Sequence, residues 1–209
     1  ILEEFGYSRA EDEKCARLLD SYLDNHDYNF DLKRLNLLMG GENVVVAGNA
    51  PSLLDDWRKE YNEYVVIAAD GACARLHDKG VLPDVVCTDL DGAPEPAAEL
   101  SHLESVSVVH AHGDNAELVE EYVSEFDLEN VVGTTQARPF AFENLHNFGG
   151  FTDGDRAAFL ADEFDAERIE LMGFDFEDST VSDEKKRKLD WARRLLEYLG
   201  EKRGEELIN

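Results

Sequence analysis

Positive charge is in short supply in this sequence. Lys and Arg number 20 among 209 residues, against 47 Asp and Glu, for a formal charge of −27 at pH 7. A chain that negative has no electrostatic footprint for nucleic acid or for an anionic membrane surface, so neither is expected as a partner. Cysteine is also scarce: Cys15, Cys73 and Cys87 are odd in number and far apart, with no Cys-x-x-Cys pair. They read as small buried hydrophobes in a reducing compartment rather than as a disulfide framework. No run approaches the ~18–20 apolar residues that span a bilayer, and no basic-then-apolar leader is visible. A cytoplasmic location is the expectation, and the opening at Ile1 rather than Met fits a further piece upstream. Lysine is rarer than arginine, and acid enrichment with lysine depletion suits solubility in molar salt, where repulsion is screened within ~3 Å. Disorder, the other source of acidity, fits poorly with 43% hydrophobic and 10% aromatic residues. The expectation is one folded domain from a salt-loving cell.

Residues 1–40 read as a helical segment, with Cys15, Leu18, Leu19 and Tyr22 on one stripe. After Gly40-Gly41 the character changes. Apolar runs at Asn43–Ala47, Tyr64–Ala69, Asp84–Thr88, Ser107–Ala111, Asn130–Gly133 and Arg168–Gly173 alternate with helix-length stretches such as Ser52–Asn62 and Asn115–Phe126. Most runs are continuously apolar, as in strands buried on both faces of a parallel sheet. The expected class is therefore α/β: an open, mostly parallel sheet with helices on both faces, over 41–209, preceded by the helical segment. The last helix carries Leu189, Ala192, Leu195, Leu196 and Leu199 on one face, with Gly200 expected to end it. Residues 135–150 fit neither period and read as a lid or binding loop.

In such sheets ligands bind beyond the carboxyl ends of the strands, so the residues just after each strand are informative. Asp70-Gly71-Ala72, Asp89-Leu-Asp91-Gly92, His112-Gly-Asp114-Asn115 and Asp175 each come after a run. Carboxylates gathered at one edge repel unless a hard cation bridges them, and Mg²⁺ takes one or two carboxylates together with substrate phosphates. Asp89-x-Asp91 is the sharpest element, because residues two apart in extended backbone face one side. It also resembles the nucleophile motif of haloacid-dehalogenase-type phosphatases and the metal pair of many glycosyltransferases; two strands precede it here, which counts against the phosphatase. Gly48-Asn49-Ala50-Pro51-Ser52 resembles a phosphate-binding strand–helix turn, although Asp55 and Asp56 would oppose an anion there. His110-x-His112-x-Asp114 reads either as a zinc site or, preferably, as one histidine in the core and one in the cleft. Gly150-Phe-Thr-Asp-Gly-Asp-Arg156 leads into a helix, where Thr152 or Asp153 caps and Arg156 either clamps phosphate oxygens or lies on the surface. Lys185-Lys186-Arg187-Lys188 is the one basic run, either a solvated helix face or a phosphate contact.

Taken in order, Gly48–Leu53, Ala69–Ala72, Pro83–Gly92, His110–Asn115, Gly150–Ala157 and Lys185–Ala192 resemble the archaeal 6-hydroxymethyl-7,8-dihydropterin pyrophosphokinase family, which is related in fold to the thiamine pyrophosphokinase catalytic domain. The resemblance implies transfer of the β,γ-diphosphate of ATP to the pterin hydroxymethyl group with release of AMP, in folate or methanopterin synthesis. It implies ATP and a reduced pterin as small-molecule substrates, Mg²⁺ as cofactor, and leaves a homodimer open as the assembly. Asp89 and Asp91 would hold Mg²⁺, with Asp70 and Asp114 completing the site directly or through water. Arg156 would offset phosphate charge, and Asp114 or His112 would accept the alcohol proton. Gly48, Asn49, Ser52, Asp70, Gly71, Ala72, Thr152 and Asp155 would bind the nucleotide. Phe140, Phe142 and Phe148 would stack on the pterin or simply pack in the core. Where thiamine pyrophosphokinases carry a lysine-containing acidic motif after the fourth strand, this sequence has His110-Ala-His112-Gly-Asp114, and no C-terminal β-sandwich is expected after it. Thiamine diphosphokinase and a metal-dependent nucleotide-sugar transferase of the same broad family are the alternatives.

Overall fold

The computed structural model describes residues 1–26 and 28–208. Three helices, α1 (Leu2–Phe5), α2 (Arg9–Asp24) and α3 (Lys33–Met39), precede β1 (Asn43–Ala47) and β2 (Val65–Ala69). Next come α4 (Ala72–His77), β3 (Val85–Thr88), α5 (Pro94–Ser101), β4 (Val106–Ala111), α6 (Ala116–Tyr122), β5 (Val131–Thr135) and β6 (Leu145–His146). The chain closes with α7 (Asp153–Glu163), β7 (Arg168–Met172) and α8 (Asp183–Arg203). The strands form one seven-stranded sheet in the order β6-β5-β4-β3-β2-β1-β7, parallel at every pairing. The expected α/β class is what the chain adopts. No helix among the described residues is long and apolar enough to cross a membrane.

The continuous apolar runs have a simple cause. Val45 and Ala47 of β1 point into one core and Val44 and Val46 into the other, so neither face can carry polar side chains. One face is covered by α2, α4, α5 and α6, and the other by α3, α7 and α8, judging by the residues each contributes. The N-terminal segment shares this core: Cys15, Ala16, Leu19 and Leu23 of α2 are fully buried against the sheet. Burial also accounts for the cysteines, which are all free. It pushes the Cys15 thiol up to about 11 and the Cys73 thiol up to about 12, so both stay protonated and unreactive.

Three local expectations are corrected. The helix expected over Ser52–Asn62 is two short 3₁₀ turns, Pro51–Leu54 and Lys59–Glu63. The Ser52 hydroxyl donates to Asp56 Oδ2 (2.8 Å), and that oxygen accepts the Gly173 N–H (3.0 Å), so side chains compete with the helical ladder and tie the segment to β7 instead. Helix α8 does not end at Gly200 but runs to Arg203, with Gly204 in the left-handed conformation after it. Gly200 is needed for close approach instead, since a Cβ there would lie 2.7 Å from Glu205 O. Residues 135–150, expected to be irregular, contain a 3₁₀ turn at Pro139–Ala141 and the edge strand β6.

Candidate active site

The acids sit where strands end. The Asp70 N–H donates to Cys87 O at 2.7 Å, carrying the β2–β3 ladder one residue further. The chain then turns sharply: Asp70 and Leu90 have φ of 44° and 71°, left-handed values that non-glycine residues seldom adopt. Asp89-x-Asp91 is therefore not extended, and its two carboxylates converge for another reason. The Asp91 N–H bonds back to Asp89 Oδ1 (3.2 Å), while the Leu90 N–H bonds to Thr88 Oγ1 (2.9 Å), folding the pair into a turn over the buried Leu90 side chain. Thr88 Oγ1 in turn donates to Asp70 Oδ1 (2.8 Å). Asp70, Asp89 and Asp91 each place an oxygen within 4.8 Å of the others. Gly92 closes the turn by necessity, because a Cβ there would lie 1.7 Å from Asp70 Oδ2. Gly92→Ala should displace that carboxylate and lower turnover about a hundred-fold, the cost of a misplacement near 1 Å. Circular dichroism should show the fold retained.

A fourth carboxylate was hidden in the sequence. Asp153, half-buried at the start of α7, faces the same three acids. Burial and then the charges of Asp89 and Asp70 push its carboxyl well above the usual range. Burial likewise raises Asp70, helped by the charge of Asp89 and opposed by the Thr88 hydroxyl. Asp91 is pushed up to about 6 by burial and by the Asp89 and Asp70 charges. Burial would raise Asp89 too, but its contact with His112 and the Asp91 N–H outweigh that and hold it low. All four donors are hard oxygens whose mutual repulsion is only partly offset by their neighbours, a set that fits a cation such as Mg²⁺.

These shifts fix the sign of the pH effect. A carboxyl raised in the folded state binds its proton more tightly there than when unfolded. The stability associated with Asp91 is therefore present below the ordinary value of 3.8 and lost as pH rises to about 6. A cation must displace that proton. Mg²⁺ should raise the melting temperature little at about pH 5 and fully above about pH 7, as read by calorimetry. An equal Mg²⁺ effect at both values would show that Asp91 does not take part.

The β4 end supplies the next wall. His110 is 3% exposed and His112 partly exposed, and both line the cleft. The Thr134 hydroxyl donates to Val109 O (3.2 Å), so it accepts from His110 Nδ1 (3.0 Å), which leaves His110 neutral with a bare Nε2. His112 Nδ1 accepts the Asp114 N–H (3.3 Å), so its proton is on Nε2, toward Asp89 Oδ2 (3.3 Å). Asn115, 2% exposed, joins the two strand ends: its Nδ2 donates to Asp89 O (2.6 Å) and His110 O (2.7 Å), and its Oδ1 accepts the His112 N–H (2.9 Å). Asp114 lies on the cleft wall and is exposed, outside the close group of three acids.

These groups open into a cleft of about 440 Å³ running from Gly48 and Gly173, at the β1–β7 switch in strand order, across to Asn115 and Gln136. Lys185 and Lys188 of α8 and Arg156 of α7 line it with the acids, so part of the basic run and the arginine do reach the site. Gly48, Asn49, Asp70 and Thr152 also line it. Four predicted nucleotide residues do not. The Ser52 hydroxyl is spent on Asp56, and Ala72 is fully buried in the core. Gly71 sits behind Asn49, whose Nδ2 would be 2.6 Å from a Cβ there. Asp155 is fully buried, and its carboxylate accepts from the Thr152 and Phe151 backbone and the Thr152 hydroxyl, organising the turn rather than reaching a ligand. That Thr-x-x-Asp spacing is a capping box, and it was the available signal that Asp153, not needed for the cap, is free to face the cleft. Nor do the three phenylalanines line the cleft. Phe140 is 83% exposed, Phe142 packs on one core, and Phe148 on the other. The aromatic walls are Tyr7, Phe151 and Phe174. Arg75 was not foreseen either: its Nη1 donates to Asn49 Oδ1 (3.0 Å) and Ala50 O (2.8 Å), and its Nη2 to Pro51 O (3.1 Å), clamping the Gly48–Pro51 turn.

Comparison with known proteins bears on this arrangement. Residues 20–180 match the sequence profile of a family described as 6-hydroxymethylpterin diphosphokinase MptE-like. The chain is 43% identical over 214 residues to a Pyrococcus furiosus protein, covering 95% of this chain and 89% of that one. It is 39% identical over 216 residues to a Methanothermobacter thermautotrophicus protein (95% and 90% covered) and 36% identical over 225 residues to one of Methanocaldococcus jannaschii (97% and 92% covered). All three relatives are named 6-hydroxymethyl-7,8-dihydropterin pyrophosphokinase. With coverage of this extent and an acid-lined cleft at the strand ends, the chain belongs to the MptE-like 6-hydroxymethylpterin diphosphokinase family.

Proposed function

We propose that this protein transfers the terminal diphosphate of ATP to the hydroxymethyl group of 6-hydroxymethyl-7,8-dihydropterin, giving the pterin diphosphate and AMP. The observation that carries the reading is a group of acids facing three cations across one cleft, in a chain of this family. Asp70, Asp89 and Asp91, with Asp153 beside them, would hold Mg²⁺, which when bound offsets charge on the polyphosphate. Lys185, Lys188 and Arg156 approach the same space and bind the anionic oxygens. The pterin oxygen forms a bond to the β-phosphorus, the bond from that phosphorus to the α,β-bridging oxygen breaks, and AMP leaves with that oxygen. Of the two groups considered for the alcohol proton, Asp114 is the better placed. Both His112 nitrogens are engaged, one by the Asp114 N–H and one by Asp89, whereas the Asp114 carboxylate opens to the cleft. Most of the catalysis is positioning and charge neutralisation, which suits a rigid rim of strand ends. Incubation with ATP, Mg²⁺ and the reduced pterin alcohol at high salt, followed by nucleotide separation, tests the reading. AMP in step with pterin diphosphate is the expected result. ADP as the product, or no turnover that depends on the pterin, rejects it.

A further inference from the structure

Asp12 lies in the first turn of α2, is 2% exposed and does not line the cleft. Its Oδ1 accepts two hydrogen bonds, from the Gly113 N–H (2.9 Å) and from Gln136 Nε2 (2.9 Å), and its Oδ2 is buried with no partner. The oxygen that takes the Gly113 N–H acts as an acceptor, and a guanidinium has no acceptor to offer. Gln136 must therefore turn its NH₂ toward Asp12 and its Oε1 the other way, where Arg156 Nη2 donates to it at 3.2 Å. An amide turned the other way would set N–H groups against a guanidinium that has only donors. The second bond acts on the turn after the neighbouring strand β4. Gly113 stands between His112 and Asp114, and a Cβ there would lie 2.8 Å from Glu11 Cβ, so the turn bearing both groups rests on the start of α2.

We propose that Asp12 is a positioning residue of the diphosphokinase site: through Gln136 it orients the Arg156 guanidinium toward the transferred diphosphate, and through Gly113 it seats the His112–Asp114 turn. The orientation of Arg156 toward a diphosphate rests on the functional reading above; the Asp12–Gln136–Arg156 link itself does not. It gives the N-terminal helix α2 a part in the chemistry through a side chain that does not itself touch substrate.

The test uses Asp12→Ala, Gln136→Leu and the double variant. Each single change should lower kcat about ten-fold with the KM for the pterin little altered, and the double variant should fall no further than the worse single one. A merely structural role predicts lower melting temperatures with kcat retained. Effects that multiply to about a hundred-fold would show that Asp12 does not act through Gln136, and overturn the proposal. A second readout is independent of turnover: NMR of the Arg156 guanidinium should show hindered rotation in the wild type and free rotation in both single variants. Unchanged Arg156 signals in Asp12→Ala overturn the link. A wild-type protein that makes no AMP defeats the functional reading instead, and the guanidinium signals then decide the link alone. Should Asp12→Ala not fold, Asp12→Ser keeps a polar group in the first helical turn but is too short to reach Gln136, and must behave as described for alanine.

Discussion

Asp91→Asn and Asp89→Asn should each lower turnover at least about a thousand-fold, yet move stability in opposite directions. The kinetic loss is common to both because each removes a charged oxygen from the close group of three, and weakening a cation that offsets transition-state charge costs several kcal/mol. The stability difference comes from their surroundings. Asp91 is held above its ordinary range by burial and by two neighbouring carboxylates. A neutral side chain there relieves repulsion, and the melting temperature in chelator should rise, by no more than about 2 °C because Asp91 is exposed and water screens its charge. Asp89 is held low chiefly by His112 despite its burial. Both Asp89 oxygens accept, one from His112 Nε2–H and one from the Asp91 N–H, so an asparagine must set its NH₂ against one of these donors, and Asp89→Asn should melt lower than the wild type under the same conditions. Turnover measured with ATP and the reduced pterin, and calorimetry with and without Mg²⁺, check both halves. Retention of more than a tenth of wild-type turnover by Asp91→Asn would mean that these carboxylates do not hold the working cation.

Arg156→Ala is expected to cost about a hundred- to a thousand-fold in kcat, the range found when one preorganised donor to a developing anion is removed. The helix start puts the guanidinium at the junction of the main cleft and a small cavity beside His110, Asp153 and Phe148. Its one hydrogen bond among the described residues goes to Gln136, which leaves donors for phosphate oxygens. Arg156→Lys should recover little of the loss. A lysine supplies a point charge but not a planar fork, and it leaves Gln136 Oε1 without its fixed partner. Comparison of kcat and KM for ATP across the two variants separates the effects: a lysine variant with full kcat would reduce Arg156 to a charge that need not be oriented.

Much of the scaffold was legible from residue patterns alone. A strand between two helical layers is apolar at most positions on both faces, so Val44–Ala47, Val65–Ala69 and Val85–Thr88 announce themselves without an alternating period. The edge strand β6 was missed because two residues are too few to show any period. The Ser52–Asn62 helix failed because Ser52 and Asp56 form bonds with each other and with β7 that propensity does not count. At the site, the acids after β2 and β3 could be read because a parallel sheet presents its strand ends on one rim. Asp89 and Asp91 nevertheless converge for a reason their spacing does not show, since the left-handed Leu90, not extended backbone, brings them together.

By itself, the order of apolar runs and acidic strand ends determined the layered sheet and the rim on which the acids fall, though it set Asp114 with Asp70, Asp89 and Asp91, and Asp114 lies outside their close group. Those features are local, each written within a few residues and multiplied by the parallel repeat. Tertiary structure alone decided the rest. It brought Asp153 to the other acids, turned Asp155, Ser52 and Ala72 away from the cleft, packed Phe142 and Phe148 on the cores, and lined the cleft with Tyr7, Phe151 and Phe174. It also set Asp12 behind Gln136, 124 residues away in sequence. Such pairings depend on which buried donor meets which acceptor when separate layers close, and no spacing along the chain encodes that meeting.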